Sequence, residues 1–399
     1  MRPIYNKVIG TCASVLMVSC QQDIPMVSLG VDSQYRIERM RKLILRPEFT
    51  GEAYRWTLKD SEGADSTVST EREFIFVAEK PGTYALRLDI IDAQNPVMQE
   101  VEINVEEESV AYSRYITEVY EYCPAPGQFV NIMPLYEEGD TEEDMCRKAR
   151  ESISGTNDIM ISLGGYGGYV TFGFDHTVVN IPGQKDFKIL GNAFYADANP
   201  NPSAPDSGGS CEPGIVMVSI DRNNNGLPDD EWYELRGSET GKEGTVSGYA
   251  VTYYRPAGRG MDVQWTDSEG RSGTVEYRGE FHDQDFYYPA WAADTYTLRG
   301  TLLESRNMVD DRGFWINRPY EWGYADNYGS DCLAGGDAMD GKGQSNGFRI
   351  ANAMQPDGTP VELKYIDFVK VQVGVNAKSG PLGEVSTEVF SFADLSIAE

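Results

Sequence analysis

Apolar and polar residues alternate with a period of two along most of this chain, which is the spacing of half-buried β-strands. Val216, Val218 and Ile220 follow this rule in the middle of the chain, and residues 369–375 carry valine at every second position near its end. Between such runs lie loops rich in Gly, Pro, Asn and Ser, which end strands and form turns. The pattern therefore predicts an all-β protein with many short strands.

One segment has the pattern of a short helix instead. Thr141 can cap its first turn, and Asp144 can reach back to the backbone of Thr141, which together form a capping box. The predicted helix runs from there to about Ile153. It is expected to lie inside the larger domain, residues 110–399. The many strands and long loops predict that this domain is a jelly-roll-like β-sandwich. We expect this domain to bind the ligand.

Residues 24–108 are predicted to form a separate, small immunoglobulin-like sandwich. Trp56 lies in the centre of one predicted strand, and Pro81-Gly82 makes the turn into another strand whose apolar face includes Leu88. A buried tryptophan facing a strand that begins Pro-Gly-x-Tyr is how immunoglobulin-like sandwiches are filled. The segment resembles the PKD-like domains of bacterial surface proteins, and the resemblance implies a spacer role.

The charge of the chain narrows the range of partners. Asp and Glu number 63 against 34 Lys and Arg, which gives a net charge of −29 over 399 residues. Such a surface repels nucleic-acid phosphates and anionic membrane faces, so we expect no nucleic-acid partner. It suits a soluble extracellular protein in a medium that contains calcium.

The N-terminus predicts a lipid anchor. A basic start and a short apolar run end at Leu16-Met17-Val18-Ser19-Cys20, which looks like a bacterial lipoprotein signal although Met17 stands where Leu is commonest. Residues 1–19 would be the signal peptide, Cys20 the lipidated residue and 20–23 the tether, so we expect a protein on the surface of the outer membrane. The alternative is an ordinary secretory signal that happens to contain Cys20.

Four cysteines remain after Cys12 and Cys20 are set aside. An even number in an oxidising compartment allows three pairings, of which we favour Cys211 with Cys332 and Cys123 with Cys146. The chain has no Cys-x-x-Cys motif and only two histidines, which argues against zinc.

A calcium loop is predicted between two strands in the middle of the chain. Loops of the Asp-x-Asn-x-Asn-Gly type bind a hard cation through oxygens at alternate positions, with a glycine at the sharp bend. Trp232 stands where the closing glutamate is expected, so Glu231 or Asp230 would replace it. The alternative is a polar hairpin without metal. The predicted ligands of a structural Ca²⁺ ion are Asp221, Asn223, Asn225, the carbonyl of Leu227, Asp229 and Glu231.

Aromatic residues concentrate between residues 281 and 328. Aromatic side chains among polar loop residues can form flat platforms for sugars or large planar ligands. The alternative is that most of them pack in the core of a large sandwich. The predicted ligand-binding residues are Tyr287, Tyr288, Trp291, Trp315, Trp322, Tyr324 and Tyr328.

Catalytic motifs do not stand out. The chain has no His-Glu-x-x-His motif, and His176 is expected to be a turn or core residue. Paired carboxylates for glycoside hydrolysis exist by number alone, as they do in any acidic chain. We therefore expect a binding protein and not an enzyme.

Segments distributed over residues 110–399 carry a further resemblance. Residues 122–131, 173–176, 212–219, 226–235 and 366–371 look like those of the "cell surface protein" lipoproteins of gut Gram-negative bacteria. That family has an N-terminal PKD-like domain and is associated with loci for cobalamin uptake, beside a TonB-dependent transporter. The resemblance implies capture of a corrinoid and its delivery to such a transporter. The alternative is a glycan-binding or adhesin lipoprotein, and a glycosidase-like enzyme is the third hypothesis.

Overall fold

The computed structural model describes residues 29–59, 64–157, 159–195, 209–333 and 345–398. The predicted signal peptide 1–19, Cys20 and the tether 20–23 lie outside these residues. Within them the chain forms twenty-six strands, one α-helix and short 3-10 turns. No helix of this part of the chain is long and apolar enough to cross a membrane.

The strands follow one another along the chain in this order. The first thirteen are Gln34–Glu38 (β1), Leu43–Leu45 (β2), Ala53–Lys59 (β3), Asp65–Ser69 (β4), Phe74–Phe76 (β5), Gly82–Ile91 (β6), Val97–Glu106 (β7), Glu118–Cys123 (β8), Ile161–Ser162 (β9), Tyr169–Val179 (β10), Phe187–Leu190 (β11), Phe194–Tyr195 (β12) and Gly209–Ser210 (β13). The others are Gly214–Ser219 (β14), Trp232–Leu235 (β15), Val246–Tyr254 (β16), Val263–Asp267 (β17), Ser272–Val275 (β18), Thr295–Leu302 (β19), Asn307–Val309 (β20), Trp315–Asn317 (β21), Ser345–Phe348 (β22), Ala353–Met354 (β23), Tyr365–Val373 (β24), Glu388–Val389 (β25) and Ser391–Asp394 (β26).

These elements confirm the predicted fold class, an all-β protein built of sandwich sheets with one short helix. The chain divides into two compact units that interleave along the sequence. The described part of the first covers residues 29–35, 45–59, 64–74 and 85–102, and residues 36–44, 75–84 and everything after 102 group with the second.

In the first unit, Trp56 is fully buried, as its place in the predicted strand suggested. Its indole stacks on Phe74 with ring centroids 5.4 Å apart, and its Nε1–H donates to the carbonyl of Glu71 over 3.0 Å. The strand that carries it, β3, pairs antiparallel with β4 and with β6. The tryptophan thus fills the apolar side of its sheet and satisfies its single polar atom.

The helix α1 of the second unit forms at Glu142–Ile153, where it was predicted. Thr141 caps it: the backbone N–H of Asp144 donates to Thr141 Oγ1 over 3.2 Å, and the N–H of Thr141 donates to Asp144 Oδ2 over 3.1 Å. The helix buries Met145 and Ala149 against the main core.

The largest sheet of the second unit has the strand order β23-β15-β14-β24-β10-β8, with β24 antiparallel to both β14 and β10. The prediction that the valine-rich strand is half-buried is wrong, because residues 371–373 are buried on both faces. The polar residue among them, Gln372, donates through Nε2 to the carbonyls of Gly167, over 2.9 Å, and Arg299, over 3.2 Å. These bonds let an amide occupy an otherwise apolar strand.

A second sheet has the strand order β18-β17-β16-β19. Tyr249 and Tyr253 of β16 are buried under it, together with Tyr166, and form an aromatic core. The hydroxyl of Tyr253 donates to the carbonyl of Tyr166 over 2.8 Å, and that of Tyr166 donates to the carbonyl of Tyr249 over 3.2 Å. The hydroxyl groups therefore fix these rings in place.

The four cysteines Cys123, Cys146, Cys211 and Cys332 are free thiols in the structure, so neither favoured pairing is formed in it. Cys146 donates to the carbonyl of Val119 over 3.2 Å, and Cys332 donates to the carbonyl of Asn327 over 3.4 Å. These two thiols therefore have polar partners of their own.

Candidate ligand-binding cleft

The seven aromatic residues predicted to bind the ligand are distributed over several packing clusters. Tyr287 and Tyr288 are fully buried in the aromatic core under the sheet of β16 to β19. Their hydroxyls donate to the carbonyls of His282, over 2.8 Å, and Ala293, over 2.5 Å. Burial of both rings leaves no face for a ligand, so these two residues have a packing role.

The other five predicted residues lie elsewhere. Tyr324 is buried in a different cluster, and its hydroxyl accepts the N–H of Glu239 over 3.1 Å. Trp291 is half-buried between Tyr122 and Tyr136, each with a ring centroid 6.0 Å away. Trp315, Trp322 and Tyr328 are half-buried, and their role as ligand contacts stays a prediction.

The structure forms a cleft in a place that the sequence did not indicate. A cavity of about 320 Å³ is lined by residues of β16, β17 and β18, by the turn at residues 165–166 and by two C-terminal segments, 376–378 and 383–384. The aromatic residues of its lining are Tyr166, Tyr253 and Trp265, and the polar ones include Thr274, Glu276, Asn376, Lys378 and Glu384.

Trp265 is the aromatic group of the cleft that stays partly exposed. It lies on β17 directly opposite Gly273 of β18 in the antiparallel register. A Cβ atom at position 273 would lie 2.3 Å from Trp265 Cζ2. The indole therefore lies directly over the glycine, and any side chain at position 273 would collide with it. This close approach, and not backbone conformation, accounts for the glycine in a strand.

Two carboxyl groups contribute to the charge of the cleft. Glu276 forms ion pairs with Lys378 and Arg278, and the hydrogen bond from Lys378 is the main cause that lowers its pKa. Glu384 accepts from the backbone N–H of Gln128 over 2.6 Å and from its Nε2 over 3.0 Å. Burial raises the pKa of Glu384 from its usual value. The cleft thus combines an aromatic surface with fixed charges, which is how small polar ligands are oriented.

The predicted calcium loop does connect two strands, as expected, since β14 and β15 are antiparallel neighbours with Ser219 opposite Trp232. The carboxylate of Asp221 accepts the N–H groups of Asn225 and Gly226, each over 3.1 Å. These contacts fold the backbone of the loop around the carboxylate of Asp221.

The predicted ligands only partly converge. The carboxylate of Asp229 accepts from the side-chain amides of Asn223, over 3.2 Å, and Asn225, over 2.9 Å. Glu231 instead accepts from the hydroxyl of Tyr233 over 2.5 Å. The N–H of Leu227 donates to Asn225 Oδ1 over 2.8 Å. Calcium at this loop therefore stays a prediction. It depends mainly on the side chains of Asp221, Asn223, Asn225 and Asp229.

A terbium experiment tests the loop. Tb³⁺ occupies oxygen sites that suit Ca²⁺ and emits when a neighbouring indole is excited, and Trp232 adjoins the loop. We expect sensitised emission that calcium displaces and that Asp229→Asn lowers several-fold, because that change removes the carboxylate that contacts the side-chain amides of both Asn223 and Asn225. Trp232→Phe assigns the emission, and an unchanged signal in Asp229→Asn would contradict the loop as a cation site.

A buried ion cluster adjoins the loop and was not apparent from the sequence. Nζ of Lys42 lies 3.2 Å from Asp221 Oδ2 and 3.1 Å from Asp367 Oδ2, and the three side chains are 8%, 7% and 12% exposed. Lys42 also donates to the carbonyl of Asp221 over 2.7 Å, and Thr177 donates to Asp367 Oδ1 over 2.8 Å. A lysine thus supplies a positive charge to the first predicted ligand of the loop.

His176 is buried in β10, which agrees with a core role. Its Nδ1 lies 2.8 Å from Asp175 Oδ1, and its Nε2 lies 2.9 Å from Asp394 Oδ2. Tyr112 stacks on the ring at a centroid distance of 5.0 Å. Both ring nitrogens are thereby engaged inside the protein.

No family model matches the chain, and no curated protein is significantly similar to it. Among solved structures, the SusE-like protein BT2857 aligns over 90% of this chain and 94% of its own, at 8% identity and a TM-score of 0.28. A structure of carbohydrate-binding modules from the beta-sandwich superfamily, described for their promiscuous specificity, aligns over the same shares at 11% identity and a TM-score of 0.16. A quinonprotein alcohol dehydrogenase-like protein (BT1487) from Bacteroides thetaiotaomicron aligns over 61% of this chain and 47% of its own, at 12% identity and a TM-score of 0.16. TM-scores this low do not establish a shared fold or activity.

Proposed function

We propose that this protein is a non-catalytic surface lipoprotein that binds a carbohydrate, with one sugar ring in the cleft beside Trp265. The observation that carries the proposal is the combination of a partly exposed indole with fixed charged groups in one cavity. The apolar face of a sugar ring packs on an aromatic ring, while its hydroxyls bond to carboxylate, amide and ammonium groups. Glu276, Asn376 and Lys378 supply such groups at the lining of the cleft.

The size of the cavity favours a sugar over a corrinoid. Ligand pockets in proteins range from roughly 300 to 1,000 Å³, and a cavity of about 320 Å³ is at the lower end of that range. One or two sugar units suit this volume, whereas the macrocycle and nucleotide of cobalamin exceed it. For a ligand bound in this cleft, the volume thus supports the glycan alternative over cobalamin capture.

The hydrogen bonds of the two carboxyl groups favour binding over hydrolysis. Glu276 is engaged by Lys378 and Arg278, and both carboxylate oxygens of Glu384 accept from Gln128. A glycoside hydrolase needs one carboxyl group to donate a proton and another to attack or to activate water. Glu276 and Glu384 are held in place by bonds to protein donors, so they are positioned to accept hydrogen bonds from sugar hydroxyls and not to transfer a proton.

One observation nevertheless supports a glycosidase as a second candidate. The pKa of Glu384 is raised by burial, while that of Glu276 is lowered by its ion pair with Lys378. Two carboxyls with opposite pKa shifts in one cleft are the arrangement of an acid and its partner. Turnover of a bound oligosaccharide that disappears in both Glu384→Gln and Glu276→Gln would establish this candidate in place of the first.

Anchoring at Cys20 and delivery to a TonB-dependent transporter belong to the same proposal and depend on the sequence of residues 16–20 and on the family resemblance. A lipoprotein on the outer surface would hold its ligand near such a transporter. Replacement of Cys20 by Ser should move the protein from the membrane fraction to the soluble fraction, and a protein that stays in the membrane fraction would contradict the anchor.

The experiment that tests the binding function is a calorimetric titration of the purified protein against a panel of soluble oligosaccharides and against cyanocobalamin. We expect saturable binding of at least one class of oligosaccharide and no heat with cyanocobalamin. Binding of cyanocobalamin with no response to any glycan would reverse the proposal in favour of the corrinoid.

A further inference from the structure

Three carboxyl groups come together away from the predicted calcium loop. Glu212 precedes β14, Asp326 lies in the loop after β21, and Glu388 begins β25. Each offers a carboxylate oxygen, and these three oxygens lie within 4.8 Å of one another. Asp326 and Glu388 are buried, and Glu212 is half-buried.

The backbone holds Asp326 in a fixed orientation. Its φ of 50° lies in the left-handed region, which is uncommon for a residue other than glycine. Oδ1 accepts the N–H groups of Asn192, over 2.7 Å, and Ala193, over 2.8 Å, and Oδ2 accepts the N–H of Glu388 over 3.0 Å. A Cβ atom on Gly191 would lie 2.3 Å from Asp326 Oδ1, so the chain packs closely around this carboxylate.

The described residues give this cluster no lysine or arginine as a close partner. Among the groups of the described chain that act most strongly on these three carboxyls, none is a lysine or an arginine. The pair Asp221 and Asp367, in contrast, has Lys42 between its members. Buried carboxylates are ordinarily paired with a cation or bound to a metal.

The side-chain amide of Asn192 lies beside the cluster and has one unsatisfied polar atom. Oδ1 of Asn192 is buried and has no hydrogen-bond partner within the described residues. Nδ2 of the same amide lies 3.3 Å from Glu388 Oε2. Half a turn of the amide exchanges the two atoms and brings Oδ1 to that place. After that rotation, the two oxygens would be far enough apart to be neighbouring ligands of one cation with bonds of roughly 2.3–2.6 Å.

We propose that Glu212, Asp326, Glu388 and Asn192 form a binding site for a hard divalent cation, with Ca²⁺ as the ion that fits best. All four donors are oxygens, and this set does not suit zinc, which prefers nitrogen and sulfur ligands. Three carboxylates and an amide supply most of the about six to eight oxygens that Ca²⁺ takes, whereas Mg²⁺ keeps several waters and needs stricter geometry. The ion would join four segments that are separate in sequence, around residues 192, 212, 326 and 388, and its role is structural.

The test measures metal content and thermal unfolding of the full-length protein at pH 8. Protein stripped with a chelator is dialysed against CaCl₂, and bound calcium is counted by mass spectrometry. We expect Glu388→Gln to bind one Ca²⁺ ion fewer than the unmodified protein. We also expect calcium to raise the Tm of the unmodified protein by about 5 °C, because a ligand that binds only the folded state stabilises it.

The variants separate the site from the loop and from a folding defect. Without calcium, Glu388→Gln should be at least as stable as the unmodified protein, because it removes repulsion among the carboxylates, and calcium should raise its Tm by much less. Asp326→Asn is the second variant for the same comparison. Asp229→Asn, in the loop, should keep the bound calcium and the rise in Tm that are due to the cluster. Equal calcium content and equal Tm increase in Glu388→Gln and the unmodified protein would overturn the proposal, as would the absence of any calcium effect, which would indicate carboxyls that share protons.

Discussion

Replacement of Lys42 by methionine is expected to lower the free energy of unfolding by about 3–5 kcal/mol, the usual cost of removing one partner from a buried ion cluster. Lys42 is 8% exposed and contacts both Asp221 and Asp367, which are nearly as buried. Methionine keeps most of the length and the apolar stem of lysine. In calcium-free buffer, the loss therefore reports the two carboxylates that remain without a cation.

Urea unfolding followed by fluorescence measures this effect, and Lys364→Met provides the matched control. Lys364 pairs with Glu362, but both side chains are more than two-thirds exposed, at 71% and 78%. The control should leave the unfolding midpoint almost unchanged, because exposed ion pairs contribute little. Equal effects of the two variants would mean that the buried cluster does not stabilise the fold.

Replacement of Trp265 by alanine should weaken carbohydrate binding by tenfold to a hundredfold, which corresponds to about 1.4–2.8 kcal/mol. The indole is the partly exposed ring of the cleft, so its removal takes away the surface on which a sugar ring packs. Gly273→Ala should also weaken binding, because the new Cβ would lie 2.3 Å from Trp265 Cζ2 and must displace the ring. Titration calorimetry at fixed ionic strength measures both.

Two variants control for that result. Trp265→Phe keeps an aromatic face and should retain most of the affinity, while Trp322→Ala removes a tryptophan from the originally predicted set and should leave the affinity unchanged. If Trp322→Ala abolished binding and Trp265→Ala did not, the ligand would bind at the aromatic residues predicted from the sequence.

Local patterns in the sequence predicted the local structure. The capping box of Thr141 and Asp144 and the turn-forming loop after Ile220 depend on residues a few positions apart, whose side chains interact with their own backbone. The alternation of apolar residues predicted strands for the same reason, because neighbouring side chains on a strand point to opposite faces. It did not reveal that residues 371–373 are covered on both faces, since this depends on partners distant in sequence.

The candidate sites depend on contacts that the sequence does not display. Lys42 is 179 positions from Asp221, and Glu212 is 176 positions from Glu388. Aromatic density was misleading for a physical reason: Tyr287 and Tyr288 belong to the core because their hydroxyls find backbone carbonyls inside it. Trp265 stands alone in its segment, and the glycine that makes room for its ring is on the next strand. Only the strand pairing identifies it.

Indole N–H signals from protein labelled with ¹⁵N at tryptophan provide the most direct test of carbohydrate binding in the cleft. The chain has six tryptophans, so six signals can be assigned by single replacement with phenylalanine. On addition of an oligosaccharide that binds in calorimetry, the proposed site predicts a shift of the Trp265 signal, with those of Trp315 and Trp322 unchanged. Shifts at Trp315 or Trp322 with a stationary Trp265 signal would contradict it.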